Sequence, residues 1–226
     1  MRLFPLPLHL TLGWAGVLAT LGLVGFYVPT ADKTIGESYL IFFFHFPSAV
    51  NCLNLFVIAG VVSGLYLARS SPRLDLWAAS AIEVGLLACT ITLVTGSIWA
   101  RAAWGIFWDV RDPRLMTVAI MWLTYAGYLA LRGTMDEPVK KALFSGVFGV
   151  IAAINVPIVY FAIQFFGQSH HPMNVDLTQF EMRLTEAVGA TAFLVLYTAF
   201  WRMRFRVHWS RHELNRMESA FHRSGI

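Results

Sequence analysis

Two apolar segments flank the stretch Thr95-Gly-Ser-Ile-Trp-Ala-Arg-Ala-Ala-Trp-Gly-Ile-Phe-Trp-Asp-Val-Arg-Asp-Pro-Arg114. Its aromatic and cationic side chains are Trp99, Arg101, Trp104, Phe107, Trp108, Arg111 and Arg114. Aromatic residues concentrated between two membrane spans are typical of the bilayer surface. Arginines among them suit a ligand that is both flat and anionic. An interfacial aromatic belt, with its arginines reaching lipid headgroups, is an equally good interpretation of this composition.

The composition of the whole chain indicates a membrane protein. Of its 226 residues, 57% are hydrophobic and only 13% are charged, and a soluble domain of this length needs more polar surface. A span requires about 20 mostly apolar residues. Six such segments are present, at about residues 8–28, 42–67, 76–98, 115–131, 142–166 and 184–201. We therefore expect an all-α protein with six transmembrane helices and a tryptophan-rich loop between the third and the fourth.

The distribution of lysine and arginine predicts the orientation of these spans. Twelve of the 17 cations fall on one side, at Arg2, Arg69, Arg73, Arg132, Lys140, Lys141, Arg202, Arg204, Arg206, Arg211, Arg216 and Arg223. The other five are Lys33, Arg101, Arg111, Arg114 and Arg183. The positive-inside rule then places both termini in the cytoplasm and the tryptophan-rich stretch outside.

The same reasoning divides the chain into two parts. Residues 1–201 form a six-span membrane domain, and residues 202–226 form a basic cytoplasmic tail. The tail is either an amphipathic segment on the inner membrane surface or disordered. The first span is expected to stay uncleaved, because no small-residue cleavage site closes it. The fourth and sixth spans are expected to be short.

Three of the seven histidines, His45, His170 and His171, fall at the outer surface with the tryptophan-rich stretch. Imidazole is an axial ligand of haem iron. Indole faces cover an apolar porphyrin plate, and guanidinium groups hold its anionic propionates. The residues therefore predict an outer haem site. The alternative is that these histidines only anchor the chain at the interface.

The spacing within the stretch allows one further expectation. Trp104 and Trp108 are four residues apart, so on a helix they share one face, with Arg101 beside it. That face offers two indoles and one guanidinium to a flat anionic ligand. The stretch itself is expected to lie outside the spans.

Several absences exclude other functions. There is no Cys-x-x-Cys-His sequence for covalent haem attachment and no P-loop for ATP hydrolysis. The two cysteines, Cys52 and Cys89, lie in apolar segments and are expected to be core residues. No pair of histidines lies within the spans, which counts against a transmembrane electron carrier with b-type haem.

Two features within the spans are unusual. Glu83 lies deep in the third span, where a carboxyl group either has a function or bonds to a neighbouring helix. We assign it no role. Asn155 and Pro157 are expected to break the fifth span, because proline removes a helix hydrogen bond and asparagine can satisfy the group that is released.

The sequence resembles a known family. Thr95-Gly-Ser-x-Trp99, Trp104-Gly-x-Phe-Trp108 and Asp112-Pro-Arg114 are similar to the tryptophan-rich WWD signature of the CcmC family, haem-handling subunits of bacterial cytochrome c maturation. Phe44-His-Phe-Pro-Ser-Ala49 looks like its first histidine motif, and Asn155-x-Pro-Ile158 is similar to its fifth span. One difference lies after Trp108, where the family's last tryptophan is missing and one residue is added before Asp112.

This resemblance implies a function. The chain would bind haem b, as transient cargo, at the periplasmic face of the bacterial cytoplasmic (inner) membrane. It would deliver this haem to the haem chaperone CcmE, in a complex with the transporter subunits CcmA and CcmB and with CcmD. CcmA would hydrolyse the ATP, and this chain would not itself be an enzyme.

The resemblance also implies the site residues. The axial iron ligands are His45 and His170, because Phe165-Phe166 matches the family's aromatic pair four positions before its histidine; His171 is the reserve candidate. The remaining haem-binding residues are Trp99, Arg101, Trp104, Phe107, Trp108, Asp112 and Arg114. The alternatives are a haem lyase that acts directly on apocytochrome c, whose known relatives have extra spans, and a membrane electron-transfer subunit with b-type haem.

Overall fold

A computed structural model describes residues 6–28, 36–167 and 177–224, and these ranges contain helices and connectors but no strand. The helices are α1 (Leu6–Phe26), α2 (Phe42–Arg69), α3 (Pro72–Trp104), α4 (Pro113–Gly133), α5 (Pro138–Ala153), α6 (Asn155–Tyr160), α7 (Ala162–Phe166) and α8 (Phe180–Ser224). A 3₁₀ turn, Gly36–Ile41, precedes α2. The expected all-α fold is confirmed.

Within these ranges, six segments are long and apolar enough to cross a membrane, as the sequence predicts. They are Leu6–Phe26, Tyr39–Arg69, Pro72–Trp104, Pro113–Gly133, Pro138–Tyr160 and Phe180–His222. The third is longer than expected. Its 33 residues form a helix of about 50 Å at 1.5 Å per residue, whereas the hydrocarbon core of a bilayer is about 30 Å thick. An upright α3 therefore extends well beyond the hydrocarbon region.

Contacts between distant residues define the two ends of the helical bundle. At one end, the hydroxyl of Tyr39 lies 3.6 Å from the sulfur of Met182. At the other, the guanidinium of Arg132 donates two 2.7 Å hydrogen bonds to the carboxylate of Asp75. We call the first, where α3 ends and α4 begins, the tryptophan end. The second, where α4 ends and α5 begins, is the basic end.

The core lies where α2, α3, α4, α5, α6 and α8 meet. Phe56 of α2 stacks on Tyr125 of α4 with ring centroids 3.6 Å apart. The thiols of Cys52 and Cys89 are free and buried in the same cluster, in agreement with the expected core role. Helix α1 packs mainly against α8. Much of its apolar surface, including Leu18 at 65% exposure, faces outward.

The fifth span is broken where the sequence predicts. Helix α5 ends at Ala153 and α6 begins at Asn155, with a further interruption between α6 and α7. Pro157 cannot donate to a carbonyl one turn earlier. The side-chain amide of Asn155 donates to the carbonyl oxygen of Ala152 over 3.2 Å. A side-chain hydrogen bond thus supports the backbone at the break. Its acceptor is the carbonyl of Ala152, whereas the carbonyl that loses its usual donor to the proline is that of Ala153.

The sixth span belongs to one continuous helix. Helix α8 has 45 residues and passes residue 201 without interruption. The expectation of a short sixth span is therefore wrong. Its basic extension is helical as far as Ser224 rather than disordered. The division of the chain after residue 201 consequently rests on charge and hydropathy and not on a helix boundary.

Candidate functional site

The tryptophan-rich stretch consists of a helical part and a loop. Its first ten residues are the last turns of α3, which ends at Trp104. Gly105 follows with φ of +79°, a conformation that glycine adopts easily, and its N–H donates to the carbonyl of Arg101 over 3.1 Å. Trp108 lies beyond this helix end. The expectation that Trp104 and Trp108 share one helical face with Arg101 is therefore wrong.

His45 contacts α3 at the beginning of this stretch. Its Nδ1 lies 3.1 Å from the hydroxyl oxygen of Thr95. That hydroxyl donates to the carbonyl oxygen of Ile91 over 2.7 Å, and a hydroxyl has only one proton to donate. Towards His45 it therefore acts as an acceptor, so Nδ1 carries the proton. In the neutral ring, the lone pair that a metal would take is then on Nε2.

Gly96 allows the imidazole of His45 to approach α3 closely. A Cβ atom built on Gly96 would lie 3.0 Å from Cε1 of the ring and 3.5 Å from Nδ1. Any side chain at this position would therefore press on the imidazole. Gly96 is buried, and His45 is partly buried. The Thr95-Gly96 pair thus fixes both the position of the ring and its protonated nitrogen.

Two tryptophans continue this surface. Trp99 follows Thr95 by four residues on α3, so the two side chains project from the same face. The ring of Trp104 meets that of Trp99 edge-on, with centroids 5.2 Å apart and planes at 72°. Both tryptophans are partly buried. The structure therefore brings together one imidazole and two indoles at the tryptophan end.

Arg101 and Phe107 form a second, more exposed pair. The guanidinium carbon of Arg101 lies 5.7 Å from the ring centroid of Phe107, and Arg101 also donates to the carbonyl of Gly105. Phe107 is 60% exposed, while Trp108, the next residue, is partly buried. An arginine that is held over an exposed aromatic ring can donate hydrogen bonds to an anionic group while it keeps its contact with the ring.

An internal ion pair holds the loop after Trp108. The carboxylate of Asp109, only 4% exposed, accepts hydrogen bonds from the backbone N–H, Nε and Nη2 of Arg111 at 2.9, 3.0 and 3.1 Å. The side chain of Arg111 is 81% exposed. These hydrogen bonds and the carboxylate charge raise the pKa of Arg111 above its usual value. The ion pair therefore fixes the position of the Arg111 side chain while leaving most of that side chain exposed.

Asp112 begins α4 and has no exposed surface. Its carboxylate accepts from the backbone N–H groups of Arg114 and Leu115 at 3.0 and 3.1 Å. This is an N-cap, followed by Pro113 at the first helical position. The cap occupies N–H groups that could otherwise bind an anion. An anionic ligand at this end therefore depends on side chains such as the partly buried Arg114.

His170 and His171 lie outside the described residues. The preceding helix, α7, ends at Phe166 and packs against α4. The part of the chain that precedes this segment therefore lies next to α4, the helix that Asp112 caps. Phe165 and Phe166, which precede the two histidines, are about two-thirds exposed.

Three of these residues were not predicted from the sequence as part of the site. Thr95 and Gly96 are in the motif that carries the resemblance, but neither was assigned a role. Only their contact with His45, 50 residues away in the sequence, shows what they do. Asp109 was also missed, although an aspartate two residues before an exposed arginine is a signal for a local ion pair.

Glu83 forms a separate cluster towards the basic end. Its carboxylate accepts from Nε of Arg204 at 2.5 Å and pairs with Nε2 of His208 at 3.0 Å. Both partners are on α8, so the carboxyl group does bond to a neighbouring helix. The bond is an ion pair with a permanently charged guanidinium, which offsets the cost of desolvating the carboxylate.

Comparison with known proteins identifies relatives of this chain. The family model "CcmC: Heme exporter protein C" matches residues 3–224. The chain is 31% identical to the Heme exporter protein C of Bradyrhizobium diazoefficiens over 159 residues, 70% of this chain and 60% of that protein. It is also 31% identical to the protein of that name from Paracoccus denitrificans over 157 residues, 70% of this chain and 65% of that protein.

A third relative comes from a plant. A ccmC-like mitochondrial protein of Marchantia polymorpha, whose name refers to cytochrome c biosynthesis, is 29% identical over 175 residues, 77% of this chain and 73% of that protein. The aligned part of this chain covers less than two thirds of the two bacterial proteins. The same type of sequence therefore occurs in bacteria and in a mitochondrial protein.

Proposed function

We propose that this chain, which belongs to the Heme exporter protein C family, binds haem at the outer, periplasmic face of the bacterial cytoplasmic membrane. The family name points to haem handling in cytochrome c maturation, and the six apolar helices support a multi-pass membrane subunit. The haem is cargo, haem b held transiently. The chain acts as a handling subunit rather than as an enzyme.

One observation carries this proposal. His45 rests on the Thr95-Gly96 pair with its protonated Nδ1 directed to Thr95, within the helical segment that bears Trp99 and Trp104. A hydrogen-bond acceptor at Nδ1 is the usual companion of an imidazole that ligates a metal through Nε2. Two indoles on the same segment supply apolar surface for a porphyrin.

Each predicted residue has a place in this proposal. His45 is one axial ligand and His170 the other, with His171 in reserve. Trp99, Trp104, Phe107 and Trp108 contact the macrocycle, and Arg101 and Arg114 hold the propionates through charge-assisted hydrogen bonds. Asp112 acts through the loop, because its carboxylate caps α4 and fixes where Arg114 starts.

The bound haem passes to the chaperone CcmE. A site at the surface of the bilayer leaves one edge of the porphyrin open to a soluble domain, which suits transfer to a partner. CcmA and CcmB supply the ATP-driven step that this chain has no P-loop to perform, and CcmD completes the complex. Both termini are cytoplasmic, in accord with the asymmetry of the cations.

Haem content of the purified protein tests this function. In His45→Gly we expect less haem per protein, an altered Soret spectrum, and partial recovery of both on addition of imidazole. His170→Gly should behave in the same way, while His171→Gly should retain the spectrum of the unmodified protein. His222→Ala, a change of an exposed histidine at the far end of α8, is the matched control.

The results separate the alternatives. An altered spectrum in His171→Gly, with an unchanged one in His170→Gly, would exchange the roles of the two neighbours. An unchanged haem content in all three outer variants would reject the proposed site. Release of haem to purified CcmE, and not directly to apocytochrome c, would distinguish delivery from the activity of a lyase.

A further inference from the structure

A cavity at the basic end lies far from the proposed haem site. Its volume is about 770 Å³, within the range of ligand pockets. It lies between α3, α4 and α8, with the beginning of α5 on one side. The tryptophan-rich stretch and His45 do not line it. The cavity therefore requires an explanation of its own.

Positive charge dominates the polar part of this cavity. Its lining cations are Arg132, Lys141, Arg204 and Arg211, together with His208. Two carboxylates face them: Glu83, which binds Arg204 and His208, and Asp75, which binds Arg132. Four permanent cations against two carboxylates leave a surplus of two positive charges. Within the described ranges, Lys141 and Arg211 make no ion pair.

Glu83 does not make the cavity unsuitable for an anion. Its bond to Arg204 uses the Nε atom of the guanidinium, so the two terminal nitrogens are not part of this ion pair. His208 contacts the other carboxylate oxygen. The carboxylate is thus compensated on both sides, and it holds Arg204 in a defined orientation at the cavity.

The rest of the lining is apolar. Val84 and Leu87 of α3, Leu129 of α4, and Phe200 and Met203 of α8 form this part. Leu87 is 47% exposed and Met203 is 37% exposed. All five belong to segments that are apolar enough to cross a membrane. The apolar part of the lining lies within the spans, and the cations lie near the ends of the spans. This arrangement is complementary to a molecule with an anionic headgroup and an apolar chain.

We infer that this cavity binds an anionic phospholipid, with the phosphate at Lys141 and Arg211 and an acyl chain along Leu87, Leu129 and Met203. Basic pockets between transmembrane helices commonly hold anionic headgroups. Haem has the same general chemistry, but Phe200 is the only aromatic residue among those that line the cavity. Aliphatic side chains suit an acyl chain better than a flat macrocycle.

Native mass spectrometry of the purified protein tests this inference. Phosphatidylglycerol and phosphatidylcholine are titrated against the unmodified protein and against the double variant Lys141→Gln/Arg211→Gln. We expect the unmodified protein to retain phosphatidylglycerol preferentially. The double variant should bind it about tenfold or more weakly, since each cation near a membrane surface contributes about a fivefold effect.

The matched control is Lys140→Gln/Arg206→Gln. Both residues are exposed neighbours on the same two helices, outside the cavity lining, and the change in net charge is identical. It should bind phosphatidylglycerol as the unmodified protein does. Equal binding of the two lipids, or equal losses in the two double variants, would overturn the inference. The inference would also be overturned if the unmodified protein carried a mass corresponding to haem rather than lipid, and if only Lys141→Gln/Arg211→Gln lost that mass.

Discussion

The imidazole of His45 lies against the backbone of Gly96, so close that a single added methyl group would come within 3.0 Å of the ring. These two residues are on different helices, α2 and α3, which form an extensive antiparallel contact. The position of the ring is therefore set by the packing of two long helices and not by a flexible loop. This relationship and its hydrogen bond lead to the first two predictions.

Replacing Thr95 by valine should weaken haem binding by roughly 10- to 100-fold, the usual effect of removing a hydrogen-bond partner of a metal-ligating histidine. Valine keeps the volume of threonine but cannot accept a hydrogen bond from Nδ1. Haem titration followed at the Soret band measures the effect. Thr95→Ser should restore most of the affinity. Thr92→Val, on the same helix and with a hydroxyl that bonds only within the helix, should have no effect.

Gly96→Ala should also lower haem affinity, because its methyl group displaces the imidazole by a few tenths of an ångström or more. The protein should still fold, since alanine favours the helix. Gly127→Ala on α4 is the control: no atom lies within 4 Å of the added Cβ, and a gain of about 0.4–1 kcal/mol in the free energy of unfolding is expected. Equal haem affinity in both variants would show that the contact with His45 is unimportant for binding.

Trp104→Ala and Trp108→Ala should each weaken haem binding by about 1–3 kcal/mol, the value of a large buried apolar contact. Trp122→Ala is the comparison, because this tryptophan bonds to Thr90 in the middle of the bundle. Its loss should lower thermal stability and leave the haem affinity of the folded protein unchanged. If the stretch is only an aromatic belt, the Trp104 and Trp108 variants will keep their full haem content and only their membrane anchoring will change.

Labelling of introduced cysteines should establish the topology. Gly167→Cys is expected to react with an impermeant thiol reagent from the periplasmic side, and Thr134→Cys only after the cytoplasmic side is opened. The native Cys52 and Cys89 are buried and should give little background. The opposite pattern would reverse the orientation and exclude a periplasmic haem site.

Local patterns allowed the sequence to predict much of this fold. The six apolar segments and the break at Asn155 and Pro157 were recognised from composition and spacing. The tryptophan-rich stretch was expected to lie outside the spans, whereas its first half continues α3 as far as Trp104. The end of α3 was missed even though Gly105 is a typical helix terminator. Periodicity alone suggested a helix through Trp108, and the left-handed conformation of one glycine prevents it.

The site was less predictable because its contacts join distant parts of the chain. His45 was identified from its chemistry, but nothing near it in the sequence indicates that Thr95 holds its ring. Similarly, Glu83 was recognised as unusual, whereas its partners Arg204 and His208 lie more than 120 residues later. Their contact depends on α8 continuing as a helix past residue 201. From the sequence, residues 202–226 were expected to be either an amphipathic segment on the membrane surface or disordered, so this continuation was not predicted.

The unbroken course of α8 has a mechanical consequence. This helix contains no proline over 45 residues, whereas the fifth span is interrupted twice within 29 residues, from Pro138 to Phe166. A continuous helix about 68 Å long has no interruption at which it would bend, so Met182, near its beginning, and Arg204, in the Glu83 cluster, are held on one straight element. The fifth span, in contrast, has two interruptions, and bends in helices concentrate at such points. The bundle therefore combines one uninterrupted helix, α8, with one interrupted span. In the sequence, the segment that carries the two candidate histidines, residues 168–176, lies between them.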